Sequence, residues 1–296
     1  MHPCLIVIMG PTAVGKTQLT IDLAKYFNSE IISSDSRQFY QEMQIGTAKP
    51  SKEELNQVKH HFINNRSVQE YYSAGDFEKE AKTLLTEMFN AGLNPVFATG
   101  GSGLYVKAIC EGLDEVPSAD LVLRENLILN YETHGISWLQ ETLLSLNPDA
   151  FSKMDTQNPQ RLMRAIELFK QGGIVKKDKI QPFYKVVKIG LNRDRADLYA
   201  RINDRVDNMM AQGLLEEVQS LVQFKNENAL QTVGYSELFD YLEGAYNVDR
   251  AVELIKQHSR NYAKKQLTWF RKDEEINWFS PDNKIDIINF IHSQLE

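Results

Sequence analysis

Apolar residues in this chain gather into short runs that are separated by stretches with helical spacing. Four of these runs predict strands: Leu5–Met9, Glu30–Ser33, Pro95–Thr99 and Val186–Leu191. Between them, Gln18–Phe27 and Phe77–Ala91 repeat apolar residues at the period of an amphipathic helix. Strands that alternate with helices predict an α/β fold, in which a parallel sheet is covered by helices on both faces.

The pattern changes between Gly112 and Gln181, where it is helical throughout. Three helices are predicted there: Ala119–Thr133, Trp138–Leu146 and Pro159–Lys170. We therefore predict a core domain made of residues 1–112 and 186–296, interrupted by a helical insertion domain of residues 113–185. The rest of the core domain is predicted to hold two long helices, a short last strand and a closing helix: Ala196–Phe224, Val248–Phe270, Ile276–Phe279 and the residues after them.

Composition narrows the class of protein. The 296 residues are 42% apolar and 25% charged, which is ordinary for a globular protein with a buried core. No run approaches the roughly 18 apolar residues of a membrane span, and the N-terminus lacks the pattern of a signal peptide. Cys4 and Cys110 stand alone, which predicts two buried thiols and a reducing, cytoplasmic location. Nothing here sets the oligomeric state, and a monomer is our working expectation.

Charge is unevenly distributed along the chain. The net charge is −7, yet residues 153–193 contain ten Lys or Arg and three acidic residues, so that segment carries +7. A basic surface on an acidic protein is compatible with binding a nucleic-acid backbone. The alternative is a solvated, lysine-rich hairpin with no partner.

The motif G-x-x-x-x-G-K-T spans Gly10–Thr17, directly after the first predicted strand and before the first predicted helix. Its glycines let backbone N–H groups curl around an anion, and the helix N-terminus adds its dipole. Lys16 supplies a positive charge, and Thr17 offers a hydroxyl to Mg²⁺. We therefore predict a P-loop that binds a diphosphate or triphosphate.

Two further strand ends carry candidate chemistry. Asp35 follows the second strand and should face the P-loop, because ligands of open α/β sheets lie beyond the carboxyl ends of the strands. It could take a proton or ligate Mg²⁺ through water; the alternative is an Asx turn. The third strand ends in the glycine turn Thr99–Gly103 instead of the Asp that orders Mg²⁺ in many P-loop ATPases, which favours group transfer to a second substrate.

Arginines on one helix face complete the candidate site. Arg201 and Arg205 lie four residues apart on a predicted helix, so both could reach the phosphates and stabilise a leaving diphosphate. The alternative is that they are surface residues paired with Asp197 or Asp204.

These motifs together resemble the bacterial tRNA dimethylallyltransferases, which prenylate an adenosine beside the anticodon. The similarity runs almost from end to end, through these stretches: Gly10–Thr17, Asp35–Tyr40, Ile45–Pro50, His60–His61, Tyr72–Phe77, Gly100–Tyr105, Asn158–Leu162, Arg201–Arg205, Gly213–Val218, Val233–Tyr235 and Tyr262–Arg271. An ordered set of this kind is more specific than any single motif.

The resemblance implies a mechanism and a set of site residues. Asp35, Thr17 and Arg205 would be catalytic, with Asp35 accepting a proton from the adenine N6 amine. The diphosphate of dimethylallyl diphosphate would be held by Arg205 and the P-loop: Gly10, Pro11, Thr12, Ala13, Val14, Gly15, Lys16 and Thr17. Mg²⁺ would be the cofactor, with Thr17 as its protein ligand.

The resemblance further implies that the anticodon stem-loop of tRNA is the partner and that its target base is flipped into the enzyme. The implied tRNA-binding residues lie on both predicted domains: Asp35, Ser36, Arg37, Gln38, Ser102, Arg124, Gln160, Arg161, Leu162, Met163 and Arg164. The sequence departs from the family pattern at Ser102, usually threonine, at Ser236-Glu237, where a basic residue is commoner, and in the short stretch Gln171–Ile174.

Three other functions remain open at this point. A prenyltransferase acting on a free adenine nucleotide would share the core but would not need the basic insertion. A small-molecule kinase is disfavoured by the missing strand-end Asp. A non-enzymatic RNA-binding protein would not explain a complete P-loop beside Asp35 and Arg205.

Overall fold

The structure is a computed structural model that describes residues 2–114, 116, 117, 120–174 and 182–296, with Leu121 described by its backbone alone. The chain divides into two compact units, Met1–Gly112 with Gln181–Glu296, and Leu113–Ile180. We call the first the sheet unit and the second the helical unit. Residues 182–185 therefore lie in the sheet unit, although the sequence pattern places them in the insertion.

The sheet unit begins with alternating strands and helices. In chain order they are β1 (Cys4–Met9), α1 (Lys16–Tyr26), β2 (Ile31–Ser33), α2 (Lys52–Leu55), β3 (His60–His61), α3 (Ala74–Asn90), β4 (Val96–Gly100) and α4 (Gly103–Cys110). The helical unit follows with α5 (Leu121–His134), α6 (Ile136–Leu146), α7 (Pro148–Lys153) and α8 (Pro159–Lys170). The predicted start of α5 at Ala119 lies outside the described residues.

The sheet unit resumes after the helical unit. Its remaining elements are β5 (Lys185–Leu191), α9 (Arg195–Ala211), α10 (Leu214–Ser220), a 3₁₀ turn (Val222–Phe224), α11 (Tyr235–Leu242), α12 (Val248–Phe270), β6 (Asn277–Phe279) and α13 (Lys284–Leu295). The single helix predicted over Ala196–Phe224 is therefore wrong. The helix breaks at Gly213, whose φ of 99° an α-helix does not accommodate.

All strand pairs are parallel, and the strand order is β3-β2-β4-β1-β5-β6. Alternate β1 residues, Ile6 and Ile8 among them, pack in a core with residues of α1 and α13. Their neighbours Leu5 and Val7 point to the opposite face and are equally buried. The sheet is thus covered on both faces, which confirms the predicted α/β class with a P-loop-like parallel sheet.

Local sequence explains where two of the helices begin. Ser73 caps α3 in a reciprocal capping box with Asp76, and Asn158 caps α8 with Pro159 in its first turn. Glu237, one of the positions at which the sequence departs from the family pattern, also has local partners. Glu237 is buried, accepts a hydrogen bond from the Gly234 N–H at 2.7 Å and lies 2.6 Å from His258 Nδ1.

Candidate active site

The loop between β1 and α1 has the backbone of an anion cradle. Gly10 and Gly15 have φ of 153° and 109°, and a Cβ at Gly10 would lie 2.7 Å from the Leu191 carbonyl oxygen. Side chains larger than hydrogen are therefore excluded at Gly10 by the end of β5. The motif lies between a buried strand and a helix N-terminus, as a P-loop requires.

The side chain of Lys16 folds back onto the P-loop, to which Lys16 itself belongs. Its Nζ donates to the carbonyl oxygens of Gly10 at 3.0 Å and Pro11 at 2.8 Å. Burial lowers the Lys16 pKa from 10.5 to about 8, the negative charge of Asp35 opposes that shift, and the positive charge of Arg205 adds to it. Lys16, Asp35 and Arg205 therefore lie within electrostatic reach of one another.

Three arginines from the end of β5 and from α9 hold the P-loop. Arg193 Nε donates to the Val14 carbonyl at 2.9 Å, and Arg201 Nε donates to the Ala13 carbonyl at 3.0 Å. Arg205 Nη1 donates to the Thr12 hydroxyl at 3.0 Å. Arg201 and Arg205 thus reach the loop as their spacing predicts, whereas Arg193 was not foreseen because it precedes the helix.

The ends of β2 and β4 are tied together beside Asp35. Ser102 Oγ accepts from the Ser36 N–H at 3.0 Å and donates to Ser36 Oγ at 3.1 Å. Asp35 Oδ1 accepts from the Arg37 N–H at 3.0 Å. Asp35 therefore forms the Asx turn of the alternative interpretation and still faces the charges of the P-loop.

Two of the predicted tRNA contacts are already bonded to protein groups. Arg37 donates to the carbonyls of Asn228 at 2.9 Å and Gln231 at 3.4 Å. Gln38 accepts from the Ser33 hydroxyl at 3.1 Å. Both side chains therefore shape the loop that follows β2, in addition to any contact with a substrate.

A polar cavity of about 290 Å³ adjoins the P-loop and is bordered by Thr17, Arg205 and Lys49. Lys49 Nζ donates to Asn64 Oδ1 at 2.6 Å and to the Tyr40 carbonyl. Burial lowers the Lys49 pKa to about 8, against the pull of nearby carboxylates. Lys49 was missed as a site residue, although it lies in the stretch Ile45–Pro50 that carries part of the resemblance.

Candidate residues of the helical unit form a separate group. Arg124 Nη2 and Arg164 Nη1 donate to the buried Glu167 carboxylate at 2.8 and 2.6 Å, so both hold the unit together. Leu162 is fully buried in the core of this unit, so its side chain has no accessible surface to offer a tRNA.

The first turn of α8 is more open. Gln160 and Arg161 are exposed, with Arg161 65% accessible, whereas Met163 is partly buried against the core of the unit. Of the five consecutive residues predicted there, Gln160 and Arg161 are therefore the ones that can reach a bound RNA with whole side chains.

The basic segment 153–193 is divided between the two units of the chain. Lys185, Lys188 and Arg193 belong to the sheet unit, and Lys188 is buried within 3.0 Å of carboxylates of Glu111, Asp273 and Glu275. Lys176, Lys177 and Lys179 lie outside the described residues. Pairing with carboxylates thus removes Lys188 from any charge available to a nucleic acid.

Mg²⁺ usually takes one or two protein oxygens, with waters and substrate phosphates completing its shell. Among the described residues no three His, Cys, Asp or Glu side chains lie together as a metal cluster. The Thr17 hydroxyl at the P-loop suits a Mg²⁺ site with one protein ligand, because it borders the cavity that Arg205 also borders.

In the same described ranges no helix is long and apolar enough to cross a membrane.

The geometry thus brings two groups to the same edge of the sheet: a positively charged P-loop that can bind an anion, and the Asp35 carboxylate. Such a pair can stabilise a departing phosphate group while a proton is taken from an attacking nucleophile.

Known proteins are similar to this chain over nearly its whole length. The family model for IPP transferase matches residues 38–273. A tRNA dimethylallyltransferase 1 of Bacteroides fragilis is 45% identical over 99% of this chain and 98% of its own length. A tRNA dimethylallyltransferase of Christiangramia forsetii is 48% identical over 100% and 99%. The crystal structure of a tRNA isopentenylpyrophosphate transferase from Bacillus halodurans superposes with a TM-score of 0.74 at 38% identity, covering 98% of this chain and 96% of that one.

Proposed function

We propose residue roles on the premise that this chain belongs to the tRNA dimethylallyltransferase family, which its full-length similarity to those enzymes shows. It is accordingly a prenyltransferase that acts on tRNA. In the proposed reaction the dimethylallyl group passes from dimethylallyl diphosphate to N6 of the adenosine on the 3′ side of the anticodon. The observation that supports these roles is the convergence of Asp35, Lys16 and Arg205 at one edge of the sheet.

The P-loop holds the diphosphate in this proposal. Backbone N–H groups of Ala13–Thr17 face the anion, while Lys16 and Arg205 neutralise charge that grows on the leaving oxygen. Mg²⁺, with Thr17 as its protein ligand, would supply further positive charge to the diphosphate when bound. Lys16 exchanges its bonds to the Gly10 and Pro11 carbonyls for bonds to phosphate oxygens.

Asp35 acts as the general base. The adenine N6 attacks the allylic carbon, the bond from that carbon to the diphosphate oxygen breaks, and Asp35 accepts the proton that N6 loses. The positive charges of Lys16 and Arg205 lie within electrostatic reach of the Asp35 carboxylate. Its Asx turn fixes the carboxylate relative to the backbone of Ser36 and Arg37.

The acceptor enters as a flipped base, because N6 of a stacked adenine is out of reach. Ser36 and Ser102, which are hydrogen-bonded to each other beside Asp35, contact the flipped nucleotide in this proposal. Gln160 and Arg161 on α8 are the accessible residues of the helical unit that we assign to the anticodon stem-loop. We further propose that the enzyme works as a monomer and in the cytoplasm, where tRNA is available.

Mass spectrometry of nucleosides tests the reaction. Unmodified tRNA, Mg²⁺ and dimethylallyl diphosphate are incubated with the protein, and AMP replaces tRNA in a parallel sample. We expect a prenylated adenosine from tRNA and none from AMP. Product from AMP alone would show that the acceptor is a free nucleotide.

Asp35→Asn tests the general base. We expect turnover to fall by about 10²–10⁴ while tRNA affinity stays unchanged, since the amide keeps its shape but cannot accept the proton. Asp286→Asn, an exposed aspartate at the start of α13, is the matched control and should retain wild-type turnover. Unchanged turnover in Asp35→Asn would remove Asp35 from the chemistry.

A further inference from the structure

One buried glutamine on α12 bridges the two glycine-rich turns of the sheet unit. Gln266 is 7% exposed. Its Oε1 accepts from the Thr12 N–H at 2.9 Å, and its Nε2 donates to the Gly101 carbonyl at 2.8 Å. Both hydrogen-bonding ends of a single amide are therefore used, one on the P-loop and one on the turn after β4.

The two turns pack closely against each other and against the amide of Gln266. A Cβ added to Gly101 would lie 2.4 Å from Gln266 Nε2 and 3.4 Å from the Gly10 carbonyl oxygen. Buried Ala263 and Phe270, on the same helix, anchor α12 on either side of Gln266. The amide is thus held by packing as well as by its hydrogen bonds.

Both partners of Gln266 lead directly to groups assigned to the reaction. Thr12 also accepts a hydrogen bond from Arg205, which lies on the diphosphate side. Gly101 precedes Ser102, whose hydroxyl holds the Ser36 N–H next to Asp35. A continuous chain of hydrogen bonds and short backbone links therefore runs from the diphosphate site to the general base.

We propose that Gln266 is a positioning residue, which fixes the separation between the diphosphate held by the P-loop and the base Asp35. The inference rests on the proposed roles of Arg205 and Asp35. Gln266 contacts neither substrate, and its task is to keep the donor carbon and the acceptor nitrogen at attack distance. A displacement of about 1 Å at this stage can cost about 100-fold in rate.

The chemistry of the bridge distinguishes an amide from its isosteres. Leucine removes both the acceptor and the donor. A glutamate carboxylate still accepts from the Thr12 N–H but faces the Gly101 carbonyl with a second acceptor, which is repulsive. A protonated glutamic acid regains a donor for Gly101, so protonation should restore the bridge.

The test compares Gln266→Leu and Gln266→Glu with Gln257→Leu, an exposed glutamine of the same helix. Single-turnover rates are measured at saturating tRNA and dimethylallyl diphosphate, together with the dissociation constants of both substrates and the melting temperature. We expect Gln266→Leu to lose about 10- to 100-fold in rate while both dissociation constants stay within about threefold. Gln257→Leu should match the wild type.

The pH dependence gives a readout that loss of packing would not move. Each variant's rate is divided by the wild-type rate at the same pH, from about pH 8 to about pH 6. We expect this ratio to rise toward low pH for Gln266→Glu and to stay flat for Gln266→Leu.

A Gln266→Leu rate within about twofold of wild type, or a loss matched by weaker donor binding, would overturn the proposal. If the leucine variant fails to fold, the Gln266→Glu profile decides alone, and a flat ratio rejects the bridge. Wild-type protein that fails to prenylate tRNA would instead reject the function itself, which keeps the two failures distinct.

Discussion

Charged side chains around the P-loop are hydrogen-bonded to the loop itself. Lys16 donates to two loop carbonyls, Arg201 and Arg193 to two more, and Arg205 to the Thr12 hydroxyl. In the proposed reaction, a diphosphate would replace these internal hydrogen bonds with charge-assisted ones, which are stronger. The loop needs little rearrangement, since the donors are already collected around it.

Donor affinity should fall as pH rises above about 8, because the buried Lys16 has a pKa of about 8 in the free protein. An uncharged lysine no longer attracts the diphosphate, so KM for dimethylallyl diphosphate should increase from neutral pH towards alkaline pH. Steady-state kinetics over that range, with tRNA saturating, measures the effect. A KM that stays constant would show that Lys16 remains charged throughout.

The lowered pKa of Lys16 also determines how its contribution to the free energy of unfolding changes with pH. The pKa of Lys16 is lower in the folded protein than its ordinary value of 10.5, so between about 8 and 10.5 the unfolded chain binds more protons. The contribution of Lys16 to the free energy of unfolding therefore rises with pH across that window.

Most elements of the sheet unit follow from local pattern, because buried parallel strands are short apolar runs and their crossover helices are amphipathic. The pattern fails where periodicity continues through a break. Apolar residues keep helical spacing across Gly213, so the pattern predicts one helix where the structure has two, α9 and α10. Nor does the pattern distinguish the neighbours Trp269 and Phe270: Phe270 is buried, whereas Trp269 lies on the next face of α12 and is 47% exposed.

Lys188 links strand β5 to two segments of the sheet unit, one that precedes β5 in the sequence and one that follows it. It bonds to Glu111 after α4 and to Asp273 and Glu275 between α12 and β6. These bonds raise its pKa, so it stays charged although it is buried. Replacing it would leave three carboxylates close together without their shared cation.

Lys188→Met should lower the free energy of unfolding by about 1–3 kcal/mol, because Glu111, Asp273 and Glu275 lose their hydrogen bonds to a shared charged donor. Lys185→Met, on the exposed start of the same strand, serves as the control and should change stability far less. Urea unfolding followed by circular dichroism measures both. Equal stability of Lys188→Met and wild type would mean that water replaces the lysine at no cost.

The chain combines a sheet unit that contains the P-loop, Asp35 and the arginine pair with a helical unit that carries exposed basic residues. The P-loop, Asp35 and the arginine pair could be predicted because motif, strand order and resemblance agree on them. Gln266, Lys49 and Arg193 could not be assigned roles, because contacts such as that of Gln266 with Thr12 join residues 254 positions apart. Sequence spacing alone does not reveal such pairs.

Binding of tRNA should weaken steeply with salt, because phosphate contacts release counterions. Arg161→Ala should reduce the slope of log affinity against log salt by about one, since it removes one phosphate contact. Arg250→Ala, an exposed arginine paired with Glu253 in the sheet unit, should leave the slope unchanged. Filter binding over a KCl series measures the slopes of the wild type and of both variants. A slope for Arg161→Ala equal to that of the wild type would show that α8 does not contact the RNA.

The strand order has a consequence for synthesis of the chain. β1 lies between β4 and β5, and the whole helical unit is encoded between those two strands. While the ribosome makes residues 113–180, β1 can pair on one side only, and its other edge exposes unpaired backbone groups that attract foreign strands. Completion of the nascent sheet must wait for β5, which makes this interval the stage of biogenesis most exposed to aggregation.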